Sequence, residues 1–265
     1  MLQTNETMEE GLALSFVDQQ ARPLGGSLIG KGAREAEFTL PVLMVDGQNK
    51  LYRLSVRATG NQLKVSESTS THLPKSCPNR HINRDSTFCI TWASQRPIAI
   101  VDAQSADHWW DTVYKFLQEQ HRAGKLRRWP SKTDWAHGDA AQEQLRAEEA
   151  AATLGGRFLE DLRNGRLSVV KKGHFYRLVT TRGRWLYSVW IQFRRVATLR
   201  QYCFCDFGTT KRKVLADCGD HANAAVDLVF GIIGRKLEEE RFWKSLKGQP
   251  CCGSMDECPL RETTT

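Results

Sequence analysis

The chain has 265 residues, a hydrophobic content of 40% and a formal net charge of +8, which is typical of one large or two small globular domains. No apolar run approaches the length of a membrane span, and the first residues lack a basic and apolar secretion signal, so we expect a cytoplasmic protein without a membrane partner. Because thiols stay reduced there, the 8 cysteines are expected to be nucleophiles, metal ligands or core residues. The positive charge favours anionic partners.

The first half of the chain predicts an antiparallel meander with flanking helices. Residues 36–45 and 51–58 are β-rich, and the Asp-Gly pair between them predicts a hairpin turn. A short β-prone segment follows at Phe88–Trp92, and residues 107–122 space apolar side chains as in an amphipathic helix opened by an Asp. The segment 25–32 has the glycine spacing of a phosphate-binding loop but lacks its Ser or Thr, so a flexible loop is predicted.

The second half predicts a separate α+β module rich in cysteine. A helical stretch over 139–163 is interrupted by Gly155-Gly156, and we place the domain boundary inside it, giving domains 1–150 and 151–265. Beyond it the sequence predicts three antiparallel strands, in 167–170, 174–181 and 185–193, and a helix over 222–246. The basic and aromatic strand residues could stack on nucleic acid, but alternation between a core face and a solvated face explains them and is favoured.

The segment RHINRDSTFC carries the most specific chemistry. A conjugating enzyme needs an accessible cysteine that accepts an acyl group as a thioester, and a neutral amide that stabilises the oxyanion. Asn83 lies six positions before Cys89, and a turn between them would let the two side chains converge. His81 could hold the loop through hydrogen bonds to its backbone. The alternative for Cys89 is a buried core thiol, since STFCITW also suits a core strand.

This His-x-Asn followed by Cys resembles the ubiquitin-conjugating superfamily, whose usual signature is His-Pro-Asn before the catalytic cysteine. The wider text HLPKSCPNRHINRDSTFCITW, a Trp-rich helix and Trp129-Pro130 resemble its compact prokaryotic branch, found in CBASS anti-phage operons beside a cyclic-oligonucleotide synthase. The resemblance covers roughly residues 30–140. Here Ile82 replaces the Pro, the gap to the cysteine is two residues shorter, and Ser86 stands where relatives often have Gly.

The resemblance implies an acyl or aminoacyl transferase with Cys89, Asn83 and His81 in the catalytic loop and no required cofactor. It implies that the enzyme handles the C-terminus of the partner synthase, primes anti-phage signalling and uses protein lysines as acceptors. Two other functions stay open: a non-catalytic scaffold of the same operon with Cys89 buried, and a zinc-stabilised nucleic-acid-binding protein. Nucleic acid is the less expected partner, and binding at low salt would be its test.

Three further residues near this block have weaker signals. Cys77 precedes a proline in a loop that looks exposed, so it is a minor competing nucleophile. Asp134 and His137 fall where conjugating enzymes keep a loop that orients the incoming lysine. Loop residues of this kind are more often simply solvated.

The C-terminal cysteines suggest a structural zinc site as an option. Cys218-x-x-His221 has a chelating separation, and Cys252 and Cys258 are the candidates that would complete a tetrahedral set. Cys251 is adjacent to Cys252, and neighbouring cysteines do not easily bind one ion together. The segment GQPCCGSMDECPLR also resembles the cysteine-rich module that accompanies these bacterial conjugating proteins. We predict that Cys218, His221 and Cys252 lie close together.

Overall fold

The computed structural model describes residues 2–91, 97–130, 136–205 and 213–261. Trp92 and Asp134 lie outside the described residues, so the expectations for them stay predictions. Within these ranges the protein is a mixed α+β structure, as predicted, with five helices and two antiparallel four-stranded sheets. None of the helices in the described ranges combines the length and apolar character needed to cross a bilayer.

The chain forms two compact units, one of Met1–Ser131 with Gly248–Thr265 and the other of Lys132–Lys247. The boundary expected at residue 150 falls inside a helix of the second unit, Ala140–Leu154. The last residues of the chain also belong to the first unit rather than to the cysteine-rich one. The structural units thus divide the chain at other residues than the predicted domains do, because local composition carries no information on which unit a terminal segment packs against.

The first unit contains the predicted meander between two long helices. Its four strands pair in chain order, all antiparallel. The predicted hairpin 36–58 is confirmed, but the predicted flexible loop at 25–32 is wrong, because Ser27–Lys31 form the edge strand of this sheet. The elements are α1 (Leu2–Ala21), β1 (Ser27–Lys31), β2 (Glu35–Leu43), β3 (Asn49–Thr59), β4 (Gln62–Glu67) and α2 (Ala103–Leu126).

The core of this unit lies between the sheet and the two helices. Side chains of β2 alternate between buried and less buried positions, which is the pattern of a sheet with one covered face. Phe38 of β2 packs edge-on against Trp110 of α2 at 5.4 Å. The Trp110 indole also donates to the Val17 carbonyl of α1 at 2.8 Å, so one buried side chain joins three elements.

Helix α2 begins earlier than the sequence suggested. Its N-cap is Asp102, whose carboxylate accepts from the Ser105 backbone N–H at 2.7 Å, while the Ser105 hydroxyl accepts from Asp102 N–H at 3.0 Å. This reciprocal pair satisfies two backbone donors that the first helical turn leaves unpaired. The helix therefore opens at Asp102 rather than beside residue 107.

The second unit packs three helices against the other four-stranded sheet. The predicted helical stretch is broken as expected, at Gly155, whose φ of 130° suits only glycine. Gly231 lets two helices approach, since a Cβ there would lie 2.9 Å from Ala147. The elements are α3 (Ala140–Leu154), α4 (Gly156–Arg163), β5 (Leu167–Lys172), β6 (Phe175–Thr180), β7 (Trp185–Trp190), β8 (Arg195–Val196) and α5 (His221–Ser245).

Candidate functional site

The loop that carries the candidate nucleophile is fixed by single backbone bridges. Ile82 exchanges two backbone hydrogen bonds with Cys77, both 3.1 Å, and forms an isolated bridge with Phe88. The Phe88 N–H donates to the Val65 carbonyl of β4 at 2.8 Å. Ile82 and Phe88 are buried, which anchors the loop in the core. Up to residue 91, the β-prone segment therefore contributes bridges rather than the expected strand.

Cys89 lies at the end of this loop with an exposed side chain. Its backbone N–H donates to the His81 carbonyl at 2.8 Å, so its position depends on the residue that opens the signature. An acyl donor as large as a protein terminus can reach an exposed thiol. The accessibility expected of a nucleophile is present, and its catalytic role stays a prediction.

Asn83 and the turn after it form a small hydrogen-bonded unit. The predicted turn is present: Ser86 N–H donates to the Asn83 carbonyl at 3.0 Å, and Ser86 adopts a left-handed φ of 68°. The Asn83 side-chain amide donates to Thr87 Oγ1 at 3.0 Å. Thr87 also donates to the Asp85 carboxylate at 2.6 Å, and this bond is the main cause that lowers the Asp85 pKa. The oxyanion role of Asn83 stays a prediction.

His81 holds the loop by its backbone and by its ring. It closes the short 3-10 turn Pro78–Arg80 in a left-handed conformation, with φ of 54°. Its ring packs against Trp129 with centroids 4.8 Å apart, and its carbonyl accepts from Cys89. These contacts agree with a scaffolding role rather than with that of a general acid or base.

Arg80 is a buried positioning residue that the sequence reasoning missed. Its guanidinium donates to the Gln120 side chain at 2.9 Å and to the Gln120 carbonyl at 2.7 Å, which ties the loop to α2. The Gln120 amide in turn donates to the Arg80 carbonyl. A buried arginine costs free energy unless its donors are satisfied, and here they are. No local signal marks Arg80, because Gln120 lies 40 positions away.

Cys77 and His137, two of the residues with weaker sequence signals, have surroundings that differ from those expected. Cys77 is 1% exposed, so the exposed loop position inferred for a competing nucleophile is wrong. His137 belongs to the second unit, where its Nδ1 lies 2.6 Å from the Glu239 carboxylate and its ring stacks on Phe242. These contacts give His137 a structural role in that unit.

The second unit brings three cysteines and a histidine together. Cys203, Cys205, Cys218 and His221 have their donor atoms all within 4.8 Å of one another. Cys218 Sγ lies 3.1 Å from His221 Nδ1 and 3.5 Å from Cys205 Sγ, and Cys203 Sγ lies 3.4 Å from His221 Nδ1. Cys218 follows a short 3-10 turn and His221 begins α5, so the chelating pair spans the start of a helix.

This Cys3His cluster fits a zinc ion. A tetrahedral zinc with bonds of about 2.1–2.3 Å places its donors roughly 3.5–3.8 Å apart, close to the separations observed. Burial is the main cause that raises the pKa of Cys205 and of Cys218, so without a cation these thiols hold their protons. The Tyr187 hydroxyl lies 3.3 Å from Cys203 Sγ, an outer contact that orients this sulfur.

The predicted ligand set was half right. Cys218 and His221 belong to the cluster, but Cys252 and Cys258 belong to the first unit and pack there with Cys77. The other two members of the cluster, Cys203 and Cys205, were missed. Their Cys-x-Cys spacing before Cys-x-x-His was visible in the sequence and could have indicated this pairing.

Two family models match the chain. Residues 25–131 match the model described as "Prokaryotic E2 domain", and residues 136–260 match the one described as "Cysteine-rich domain, C-terminal to E2 domain". Neither the curated proteins nor the solved structures gave a match. The chain therefore has an E2-like domain followed by a cysteine-rich C-terminal region. The first match covers the first unit from residue 25 onward, without α1, and the second covers the second unit together with the C-terminal segment of the first.

Proposed function

We propose that this protein is a cysteine-dependent conjugating enzyme in which Cys89 carries the acyl group as a thioester. The observation that carries this proposal is the exposed thiol of Cys89 at the end of the His81–Cys89 loop, within the segment that matches an E2 domain. Scaffold function with a buried Cys89 is not favoured, because that side chain is exposed.

The proposed chemistry has two acyl transfers. The Cys89 thiolate attacks the activated carbonyl carbon of a donor, whose leaving group departs, and a thioester results. An acceptor amine then attacks the thioester, and the Cys89 thiolate leaves. The Asn83 amide would turn from Thr87 to stabilise the oxyanion formed in either step. Activation comes from an enzyme acting in trans, or by exchange with a donor that is already activated.

The partner that we propose is a cyclic-oligonucleotide synthase of a CBASS anti-phage system. This partner is supported by the resemblance of the His81–Cys89 block and of the cysteine-rich end to the bacterial conjugating proteins of such systems. The C-terminus of the synthase would be the acyl donor. Protein lysines are the proposed acceptors, and the attachment would prime the synthase for signalling. A gene neighbour that encodes a synthase with a free small-residue tail is the first observation to seek.

The test is co-expression of the protein with its neighbouring genes, followed by intact mass spectrometry. We expect an adduct on Cys89 that hydroxylamine removes, and a more stable oxyester on the Cys89→Ser variant. The Cys251→Ser variant, at a half-buried thiol of the same unit, is the control and should keep the labile adduct. An unmodified Cys89, together with full biological activity of Cys89→Ala, would exclude the enzyme.

We also propose that the Cys3His cluster binds a structural zinc ion. Its four donors are closely spaced, and the cluster joins the start of α5 to the segment whose Cys203 contacts Tyr187 of β7, so a metal would fix these elements to one another. The zinc would supply no chemistry at Cys89. A nucleic-acid function is not favoured, because Arg177 and Arg194 already cover the faces of Trp185 and Phe230, at 4.1 and 4.3 Å.

A further inference from the structure

The C-terminal segment, residues 248–261, packs on the first unit without forming a helix or a strand. Arg127, just after α2, holds it from two sides: its guanidinium donates to the Asp256 carboxylate at 2.5 Å and to the Gly253 carbonyl at 3.1 Å. The Asp256 N–H donates back to the Arg127 carbonyl at 2.9 Å. A segment this irregular depends on such side-chain contacts for its position.

Beside these contacts the segment brings a cysteine against the loop of the candidate active site. The Sγ atoms of Cys252 and Cys77, 175 positions apart in the chain, are hydrogen-bonded at 2.7 Å. Both cysteines are free thiols. An S–S bond is about 2.05 Å long, so a small side-chain movement would join them. Met255 and Cys258, both buried, and Trp129 pack around the pair.

The two thiols have different surroundings. Cys77 is buried, whereas Cys252 is half-buried and reachable by a small molecule. Ser254 Oγ lies 3.0 Å from the Cys252 sulfur, and the guanidinium of Arg80 lies 3.3 Å from that same Ser254 hydroxyl. The hydrogen bond with Cys77 lowers the pKa of Cys252, while the same bond and burial raise the pKa of Cys77. The sulfur that a peroxide can reach is therefore that of Cys252.

We propose that Cys252 and Cys77 are a redox modification site that forms a disulfide on exposure to a hydroperoxide. The Cys252 thiolate attacks one peroxide oxygen, the O–O bond breaks, and the other oxygen leaves as an alcohol, or as water from hydrogen peroxide. The Cys77 sulfur then attacks the Cys252 sulfenic sulfur, and the sulfenic oxygen leaves as water with the Cys77 proton. In balance, two thiols and one peroxide yield a disulfide, an alcohol and water.

A metal ion at this pair is the competing interpretation, and the spacing of the donors speaks against it. In the described ranges, the group of three or more donors lying within 4.8 Å of one another is the Cys3His cluster. No third thiol, imidazole or carboxylate among the described residues joins Cys77 and Cys252 at that spacing. The two sulfurs are 2.7 Å apart, which suits the formation of a disulfide. Two donors of a tetrahedral zinc site lie farther apart, at roughly 3.5–3.8 Å.

The disulfide would fasten the C-terminal segment to the base of the candidate catalytic loop. Cys77 is bonded through its backbone to Ile82, next to His81, whose carbonyl accepts the Cys89 N–H. The cross-link therefore acts on the backbone that positions Cys89, without using the Cys89 thiol. Its formation does not depend on the function proposed for Cys89.

The test uses the full-length protein, purified with reductant and then exposed to increasing hydrogen peroxide. After alkylation of the remaining thiols, digestion without reductant should yield a linked peptide containing Cys77 and Cys252. The Cys252→Ser variant should lose that species. The Cys77→Ser variant should instead accumulate a Cys252 sulfenic acid that dimedone traps. Cys251→Ser, beside the reactive residue, should form the cross-link as the wild type does.

Zinc content measured on the same samples distinguishes a disulfide pair from a metal site at Cys77 and Cys252. We expect the cross-link to form without release of zinc, and Cys252→Ser to keep the zinc content of the wild type. Oxidation of other thiols with no Cys77–Cys252 peptide would overturn the proposal. Loss of a zinc equivalent in Cys252→Ser would overturn it as well, since the pair would then be a metal site. The wild-type experiment decides even where a variant folds poorly.

Discussion

The loop of the first unit and the cysteine cluster of the second unit place thiols in opposite surroundings. Cys89 is exposed at the end of a loop, where a large acyl donor can approach it. Cys218 lies within 3.5 Å of another sulfur and of an imidazole, and burial raises its pKa. Since nucleophilic attack needs access and metal binding needs convergent donors, the same residue type suits different chemistry in each place.

The largest expected effect comes from removing the exposed thiol. Cys89→Ala should reduce onward acyl transfer to background, because no other group replaces the bond-forming sulfur. Single-turnover transfer from a charged donor, followed by gel or mass spectrometry, measures it. The unfolding temperature should stay near that of the wild type, since the side chain is exposed. Residual transfer above background would mean that another residue is the nucleophile, and the contrast between the two regions would no longer hold.

Removing a candidate zinc ligand from the second unit should have the opposite effect to Cys89→Ala: it should change stability rather than remove the nucleophile. Cys218→Ser should lower the zinc content from about one equivalent to less than roughly 0.2 and destabilise Lys132–Lys247, because a structural zinc contributes directly to folding. Metal analysis and thermal unfolding with and without chelator measure this. Since protons compete for the thiolates, the wild type should lose zinc as the pH falls. Metal-free wild type with an unchanged melting curve would leave the cluster as a packing feature.

An intermediate effect is expected at the amide of the loop. Asn83→Ala should slow acyl transfer by about 100-fold, or about 2.7 kcal/mol, if the amide stabilises the oxyanion. Thr87→Val is the matched control, because it removes the group to which the Asn83 amide donates and leaves the amide itself. It should slow transfer much less. Equal losses in the two variants would mean that Asn83 only maintains the turn.

The smallest effect is expected at the contact between His137 and Glu239. Burial raises the pKa of Glu239, but the hydrogen bonds from His137 and Trp243 and the electrostatic attraction of His137 together outweigh it, and the pKa lies below the usual 4.5. A lowered carboxyl pKa stabilises the fold above the unfolded-state pKa, and this contribution is lost as the pH falls through the folded-state value. Glu239→Gln should therefore cost about 1–2 kcal/mol at pH 7, and less below about pH 4.

A second variant at the same contact tests the role of the histidine. His137→Gln should destabilise the second unit by a similar amount and leave acyl transfer unchanged, as chemical denaturation and transfer assays would show. A strong transfer defect with unchanged stability would restore the lysine-orienting role that its sequence position suggested.

Local patterns were sufficient where neighbouring residues decide the structure. The β-rich runs around Asp46-Gly47 predicted β2 and β3, because alternation and turn chemistry act over a few residues. The break in the helical stretch at Gly155 and the turn after Asn83 were predicted for the same reason. The start of α2 at Asp102 was missed, although its Asp and Ser spacing carries a capping signal.

The positions of the other cysteines depend on contacts over long sequence distances. The sequence by itself determined the fold class, the meander and the candidate loop that ends at Cys89. Only the tertiary structure decided that Cys77 is buried, since it is covered by a segment that begins more than 170 residues later. The packing of the C-terminal segment in the first unit also separated Cys252 and Cys258 from the cluster of Cys218 and His221, whereas the spacing of Cys203 and Cys205 was visible in the sequence. Periodicity and spacing describe which residues can pack, but the packing of whole elements decides which of them meet.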